Sequence, residues 1–172
     1  SHVVERLSEM DVEIGILDNM SSGSLTNVGH LLRQDKVRLL QIDIRDFDSI
    51  KKVVRGFDAV IHLAAVTSVS SSIEDPLFTN ETNVTGTLNL LKASVESGVS
   101  RFVYASSSSI YGEAETLPIC EDIVPNPISP YGVSKLAGER YCLVFTEVFG
   151  LPTICLRYFN VYGLRQKQDQ YA

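Results

Sequence analysis

Residues 37–63 run VRLLQIDIRDFDSIKKVVRGFDAVIHL, and this stretch decides the fold. Val37–Ile44 is a short, nearly continuous apolar and β-branched run. Asp48–Arg55 carries helical spacing, with Asp46 or Asp48 placed to cap it and Gly56 placed to stop it. Ala59–Leu63 then returns to a strand pattern. Strand, helix and strand in close succession form the unit of a parallel sheet. Runs without strict alternation suit strands that are covered on both faces.

The same alternation continues outward on both sides. Val12–Leu17, Arg101–Ala105 and Thr153–Tyr158 are further strand runs, and Val3–Met10 looks like the tail of a helix. Leu77–Ser97 predicts a long helix, with Val84, Leu88, Leu91 and Val95 at helical spacing and Gly98 where a C′ glycine belongs. Pro130–Phe149 is equally long, bears Leu136, Tyr141, Leu143 and Val144, and ends at Gly150-Leu-Pro152. The expectation is one α/β domain with a Rossmann-like, doubly wound parallel sheet and no internal boundary. Both ends look cut. A doubly wound fold opens on its central strand, followed directly by a glycine-rich phosphate-binding turn. Ser1–Met10 shows neither, and Gly163–Ala172 trails off as a polar tail, so a piece of a larger protein is expected.

Composition narrows the function classes. The chain has 172 residues, 44% apolar and 21% charged, with a net charge of −6. No basic run is present, which argues against nucleic acid or an anionic membrane surface as the main partner. The longest apolar stretches, such as Asp58–Val66 (DAVIHLAAV), are about half of what a bilayer span needs. No signal-peptide pattern opens the chain. Cys120, Cys142 and Cys155 are odd in number and lack metal-ligand spacing. A reducing, cytoplasmic compartment and no bound metal are therefore expected.

Several residues carry chemistry. Asp18 ends a strand run and precedes the turn-rich Asn19-Met-Ser-Ser-Gly23. A carboxylate there can hold the ribose hydroxyls of a dinucleotide and repel a 2′-phosphate, favouring NAD over NADP; alone, it also fits an ordinary turn aspartate. Asp43-Ile44 closes the next strand, where it could meet an adenine. His62 reads as a core histidine, while the small residues after it would let the backbone approach a ligand. Asn83 and Gly86 are both poor interior helix residues. They indicate either helix packing at Gly86 or a close polar contact with neighbouring loops.

The strongest local feature is Tyr131-Gly-Val-Ser-Lys135. Four residues of helix rise about 6 Å, a little over one turn, so both side chains share a face. An ammonium beside a phenol is expected to pull the phenol's pKa down and make it a general base. Upstream, Ser106-Ser107-Ser108-Ser109 follows a strand and could reach a substrate oxygen from the other side.

Taken together, DNMSSG (18–23), DIRD (43–46), HLAA (62–65), NVTGT (83–87), ASSSSIYG (105–112), SPYGVSK (129–135) and LRYFNVYG (156–163) resemble the extended short-chain dehydrogenase/reductase family, in its nucleotide-sugar epimerase/dehydratase branch. The resemblance implies an incomplete NAD-binding Rossmann domain over 1–172, without the opening strand, its glycine turn and the C-terminal substrate domain. It implies Tyr131 as base, Lys135 on the nicotinamide ribose and Ser107 at the sugar hydroxyl. It places Asp18, Asn19, Ser22, Gly23, Asp43, Ile44, Leu63, Ala64, Ala65, Asn83 and Tyr158 around the cofactor, and Ser108 and Asn160 with the substrate. Thr67 stands where galactose epimerases of this branch often carry a lysine. The implied reaction is 4-epimerisation of a nucleotide sugar, UDP-linked and of the glucose/galactose type, through a 4-keto intermediate in a homodimer. The alternatives are a 4,6-dehydratase, a decarboxylase or a non-catalytic dinucleotide sensor. Serine at all of 107–109, where dehydratases of the family carry Thr-Asp-Glu, favours epimerisation.

Overall fold

The computed structural model describes residues 1–114 and 116–166, grouped in two compact units, Ser1–Ile44 and Arg45–Ala172. The polar tail at 167–172 lies outside the described residues.

In the first unit, α1 (His2–Ser8) leads into β1 (Ile14–Leu17), and two short 3₁₀ turns precede β2 (Val37–Leu40). The strands are parallel, with Ile14 beside Val37 and Leu17 beside Leu40. Ile14, Leu31 and Val37 form the buried centre, and Val4, Leu7, Ile16 and Leu32 pack against it. Both strands are shorter than their apolar runs. Val12 is taken into a turn by its N–H bond to the Met10 carbonyl (3.0 Å). At the far end, the Met20 N–H turns back onto Asp18 Oδ1 (2.7 Å) with Met20 at φ +62°. β2 therefore loses its partner beyond Leu40.

The second unit holds a three-stranded sheet in the order β3 (Ala59–His62), β4 (Arg101–Ser107), β5 (Thr153–Tyr158), with both pairings parallel. The expectation of a parallel α/β fold is met in every pairing. Ahead of the sheet, α2 (Phe47–Val54) is capped by Asp46, whose carboxylate accepts the Ser49 N–H. Val69–Glu74 forms α3, where the sequence showed no apolar stripe, and Pro76 then starts α4 (Pro76–Asn80) under an Asp75 cap. The long helix expected over Leu77–Ser97 is continuous but not uniform. A π-helical turn at Glu81–Thr85 separates α4 from α5 (Gly86–Ser97). Leu91 and Ala93 of α5 are buried, as are Phe102 and Tyr104 of β4. α6 (Pro130–Phe149) begins under the Ser129 side chain, which accepts the Gly132 N–H, and ends at left-handed Gly150. No helix among the described residues is long and apolar enough to cross a membrane.

Candidate cofactor and active site

The first unit gathers its polar residues at the carboxyl ends of β1 and β2. Asn19 Nδ2 donates to Asp43 Oδ2 (2.9 Å), tying the two strand ends together. The Ser21 N–H donates to Asn19 Oδ1 (3.0 Å). A Cβ added at Gly23 would sit 3.0 Å from Asp18 Oδ2, so glycine there keeps one side of the carboxylate open. Ser22 and Gly23 are exposed. Ile44, expected against an adenine, has its side chain buried within the protein.

In the second unit, the site forms where β3, β4 and β5 end. Leu63 and Ala64 are exposed just past β3, and Ala65 is half-buried. Ser107 is the last residue of β4 and pairs in register with Tyr158, the last of β5. Ser107 donates to Ser109 Oγ and accepts the Ser109 N–H, each at 3.2 Å. Ser108 is half-buried in the same turn, and Asn160 is exposed just beyond β5.

Tyr131 and Lys135 face this strand end from the first turns of α6. Lys135 is only 4% exposed. Its ammonium donates to the Ala105 carbonyl (2.8 Å) and lies 5.2 Å from the Tyr104 ring centre and 5.8 Å from that of Tyr131. Burial lowers the Lys135 pKa to about 8. The Tyr131 phenol departs from the sequence expectation. Burial raises its pKa, and a hydrogen bond with the Ser107 side chain opposes that rise. Burial dominates the shift, and the Lys135 ammonium is held by the Ala105 carbonyl. The first turn of α6 approaches the Ser107–Ser109 turn closely: a Cβ at Gly132 would meet the Ser109 carbonyl at 2.7 Å.

Asn83 occupies the π turn and is 1% exposed. Its Oδ1 accepts the Val66 N–H (2.8 Å), and its Nδ2 donates to the Val66 carbonyl and to Ser134 Oγ (3.0 Å each). The polar-contact alternative is the one realised. His62 lies in the core, with Nε2 at 2.9 Å from Thr87 Oγ1 and its pKa lowered by burial to about 3.

Three positions went unnoticed in the sequence. Ser72 Oγ accepts the Tyr131 N–H (3.1 Å). Glu139 and Arg157 form a two-pronged ion pair, both contacts at 3.0 Å. Glu139 could have been found, since it continues the Tyr131–Lys135 spacing by four more residues. Ser72 and Arg157 carry no such local signal.

Compared with known proteins, residues 1–172 match the NAD dependent epimerase/dehydratase family. The chain belongs to that family. It is 38% identical over 168 residues to a putative UDP-glucose 4-epimerase of Methanocaldococcus jannaschii, covering 96% of this chain and 53% of that one. Among solved structures, it resembles the Thermus thermophilus UDP-glucose 4-epimerase complex with NAD (39% identity, TM-score 0.89, 96% of this chain and 53% of the other). It also resembles a UDP-N-acetylglucosamine 4-epimerase from Methanobrevibacter ruminantium in complex with UDP-N-acetylmuramic acid (35% identity, TM-score 0.93, 98% and 53%). The chain thus spans about half the length of the relatives it matches.

For an NAD dependent epimerase/dehydratase, the residues present suit a dinucleotide. The buried Lys135 ammonium has three donors, and Ala105 accepts one of them. No carboxylate is paired with it among the described residues. A ribose offers the hydroxyl acceptors that such a group lacks.

Proposed function

We infer that this chain is the incomplete NAD-binding Rossmann domain of a cytoplasmic enzyme that epimerises a UDP-linked sugar at C4. What carries the proposal is the Tyr131–Ser107–Lys135 arrangement at the ends of parallel strands, with no carboxylate at 107–109. Tyr131 takes the proton of the sugar 4-hydroxyl, and the Ser107 hydroxyl steadies that oxygen. NAD, when bound, supplies hydride acceptance from C4 and hydride return to the opposite face. Lys135 donates to the cofactor's ribose, and its positive charge favours the phenolate once the base must form. Asp18 would hold the adenosine ribose, with Asp43 at the adenine. Leu63–Ala65 and Tyr158 would line the cofactor, and Ser108 and Asn160 the substrate.

Serines cannot serve as carboxylate acid or base near neutral pH. With Tyr131 alone to move a proton, the 4-keto sugar leaves efficiently only by hydride return. A homodimer across the helical stretch Leu77–Ser97 and α6 belongs to the same proposal. α6 exposes Val133, Leu143, Val144, Val148 and Phe149, more apolar surface than one core-facing stripe needs. The three cysteines are unpaired thiols, which fits a reducing compartment. The test is to incubate the full-length protein with UDP-glucose, UDP-galactose and their N-acetylamino forms and resolve the products. Interconversion of 4-epimers is expected. A 4-keto-6-deoxy sugar, released carbon dioxide or no reaction with any of them overturns the assignment.

A further inference from the structure

We propose that Glu139 and Arg157 are positioning residues, a clamp that sets where Tyr131 and Lys135 stand relative to Ser107. This rests on the catalytic roles inferred above for those three. Tyr131, Lys135 and Glu139 follow one another at intervals of four on α6 and so share one face. Glu139 is buried, and both of its oxygens accept from the Arg157 guanidinium, from Nε and Nη2, at 3.0 Å. Arg157 lies on β5 in register with Ser106, one position before the Ser107–Tyr158 pair. The ion pair therefore joins the face that carries the base to the strand level that carries the serine.

The same guanidinium reaches two further pieces of chain. Its Nη1 donates to the Tyr111 hydroxyl and to the Glu121 carbonyl, each at 2.9 Å. The guanidinium carbon lies 5.0 Å from the Tyr111 ring centre, and that ring stacks on Phe159 (6.4 Å between centres). One side chain thus fixes α6, β5, the turn after β4 and the segment at Glu121. Planarity matters: two parallel bonds fix orientation as well as distance, which a lysine cannot do. A buried ion pair of this kind is weak evidence for stability, because well-packed apolar residues often do as well. Its place, one turn beyond Lys135 and one residue before Tyr158, points to geometry instead.

The experiment compares Arg157→Lys, Glu139→Gln and Tyr131→Phe with wild type in the full-length protein. It reads kcat and KM separately on UDP-galactose, the unfolding midpoint, and the ¹³Cζ resonance of Tyr131 across pH in tyrosine-labelled protein. Arg157→Lys keeps the charge and loses the two-pronged contact. Displacement by about 1 Å is enough to lower turnover roughly 100-fold. The clamp thus predicts a 10- to 100-fold fall in kcat in Arg157→Lys and Glu139→Gln, with KM within about threefold. It also predicts a shifted Tyr131 titration in both variants. Where Glu139→Gln does not fold, Arg157→Lys and Tyr111→Phe, which removes a single hydroxyl, carry the test. Wild-type kcat and an unshifted Tyr131 titration in folded Arg157→Lys overturn the clamp. An active Tyr131→Phe overturns the base assignment instead, and the titration still reports on the clamp.

Discussion

Replacing Lys135 by Met tests whether the buried ammonium is held against its own preference. The side chain is 4% exposed, its ammonium donates to the Ala105 carbonyl, and burial brings its pKa from 10.5 down to about 8. The sign follows from proton counting. Between those two values the unfolded chain binds a proton that the folded chain has released, so stability rises with pH across that window. One pKa unit is worth about 1.4 kcal/mol, so the ammonium disfavours the folded state by about 3 kcal/mol at pH 7. Roughly 2 kcal/mol of this returns by pH 10. Lys135→Met keeps the stem and removes the charge. The lost bond to Ala105 changes the variant's stability by a similar amount at each pH, and other titrating groups are common to both proteins. Urea unfolding of the cofactor-free protein at pH 7 and pH 10 should show wild type gaining about 2 kcal/mol on the variant. Parallel stability curves would refute the burial argument.

Gly132→Ala would place a methyl 2.7 Å from the Ser109 carbonyl and 2.9 Å from Pro127 Cβ. It should cost about 1–3 kcal/mol, lower the melting temperature and reduce turnover, because the start of α6 must move. His62, with its pKa lowered to about 3 by burial, should make the protein acid-sensitive. The unfolded chain takes up the proton below about pH 6.5, so roughly 3 kcal/mol is lost between pH 7 and pH 4, and His62→Gln should flatten that slope in urea titrations. Asn83→Leu leaves both Val66 backbone groups without their partner. A loss of about 2–4 kcal/mol is expected, with faster amide exchange at Val66. Tyr131→Phe should lower turnover by about 10²–10⁴-fold while bound NAD, read by absorbance of the released cofactor, stays near wild type.

What could be read in the sequence was whatever repeats along one element. The alternation around residues 37–63 led to parallel pairing, and β1–β2, β3–β4 and β4–β5 all show it. Tyr131 and Lys135 share a helix, so their common face needed nothing but the helical period. The π turn was hidden, because one widened turn leaves the spacing of Val84, Leu88, Leu91 and Val95 nearly intact. α3 was hidden because Val69–Glu74 is mostly serine and lacks an apolar stripe. The direction of the Tyr131 shift was misjudged for a different reason. Spacing says that an ammonium is near a phenol but not how deeply the phenol is buried, and burial dominates the shift. Arg157 was out of reach altogether. Its partners at 111, 121 and 139 are brought together only by the β4–β5 register and the packing of α6.

Unfavourable features concentrate around one end of α6. Lys135 is charged and buried, Tyr131 is half-buried with its phenol pushed up, and the Tyr104 hydroxyl is buried without a hydrogen-bond partner among the described residues. That hydroxyl presses so closely on α6 that a Cβ at Gly138 would lie 2.2 Å from it. A core built for stability alone would replace the lysine and remove the tyrosine oxygen. In the same unit Phe102, Leu91, Ile50 and Ile110 are fully buried. Strain kept in one place while the rest is well packed is the pattern expected where a site has been selected for activity over stability. A ligand that brings acceptors to the Lys135 donors would raise the lysine's pKa back toward its ordinary value. Binding such a ligand above pH 8 therefore takes up a proton, and the energy set against folding in the empty site is returned when the ligand arrives.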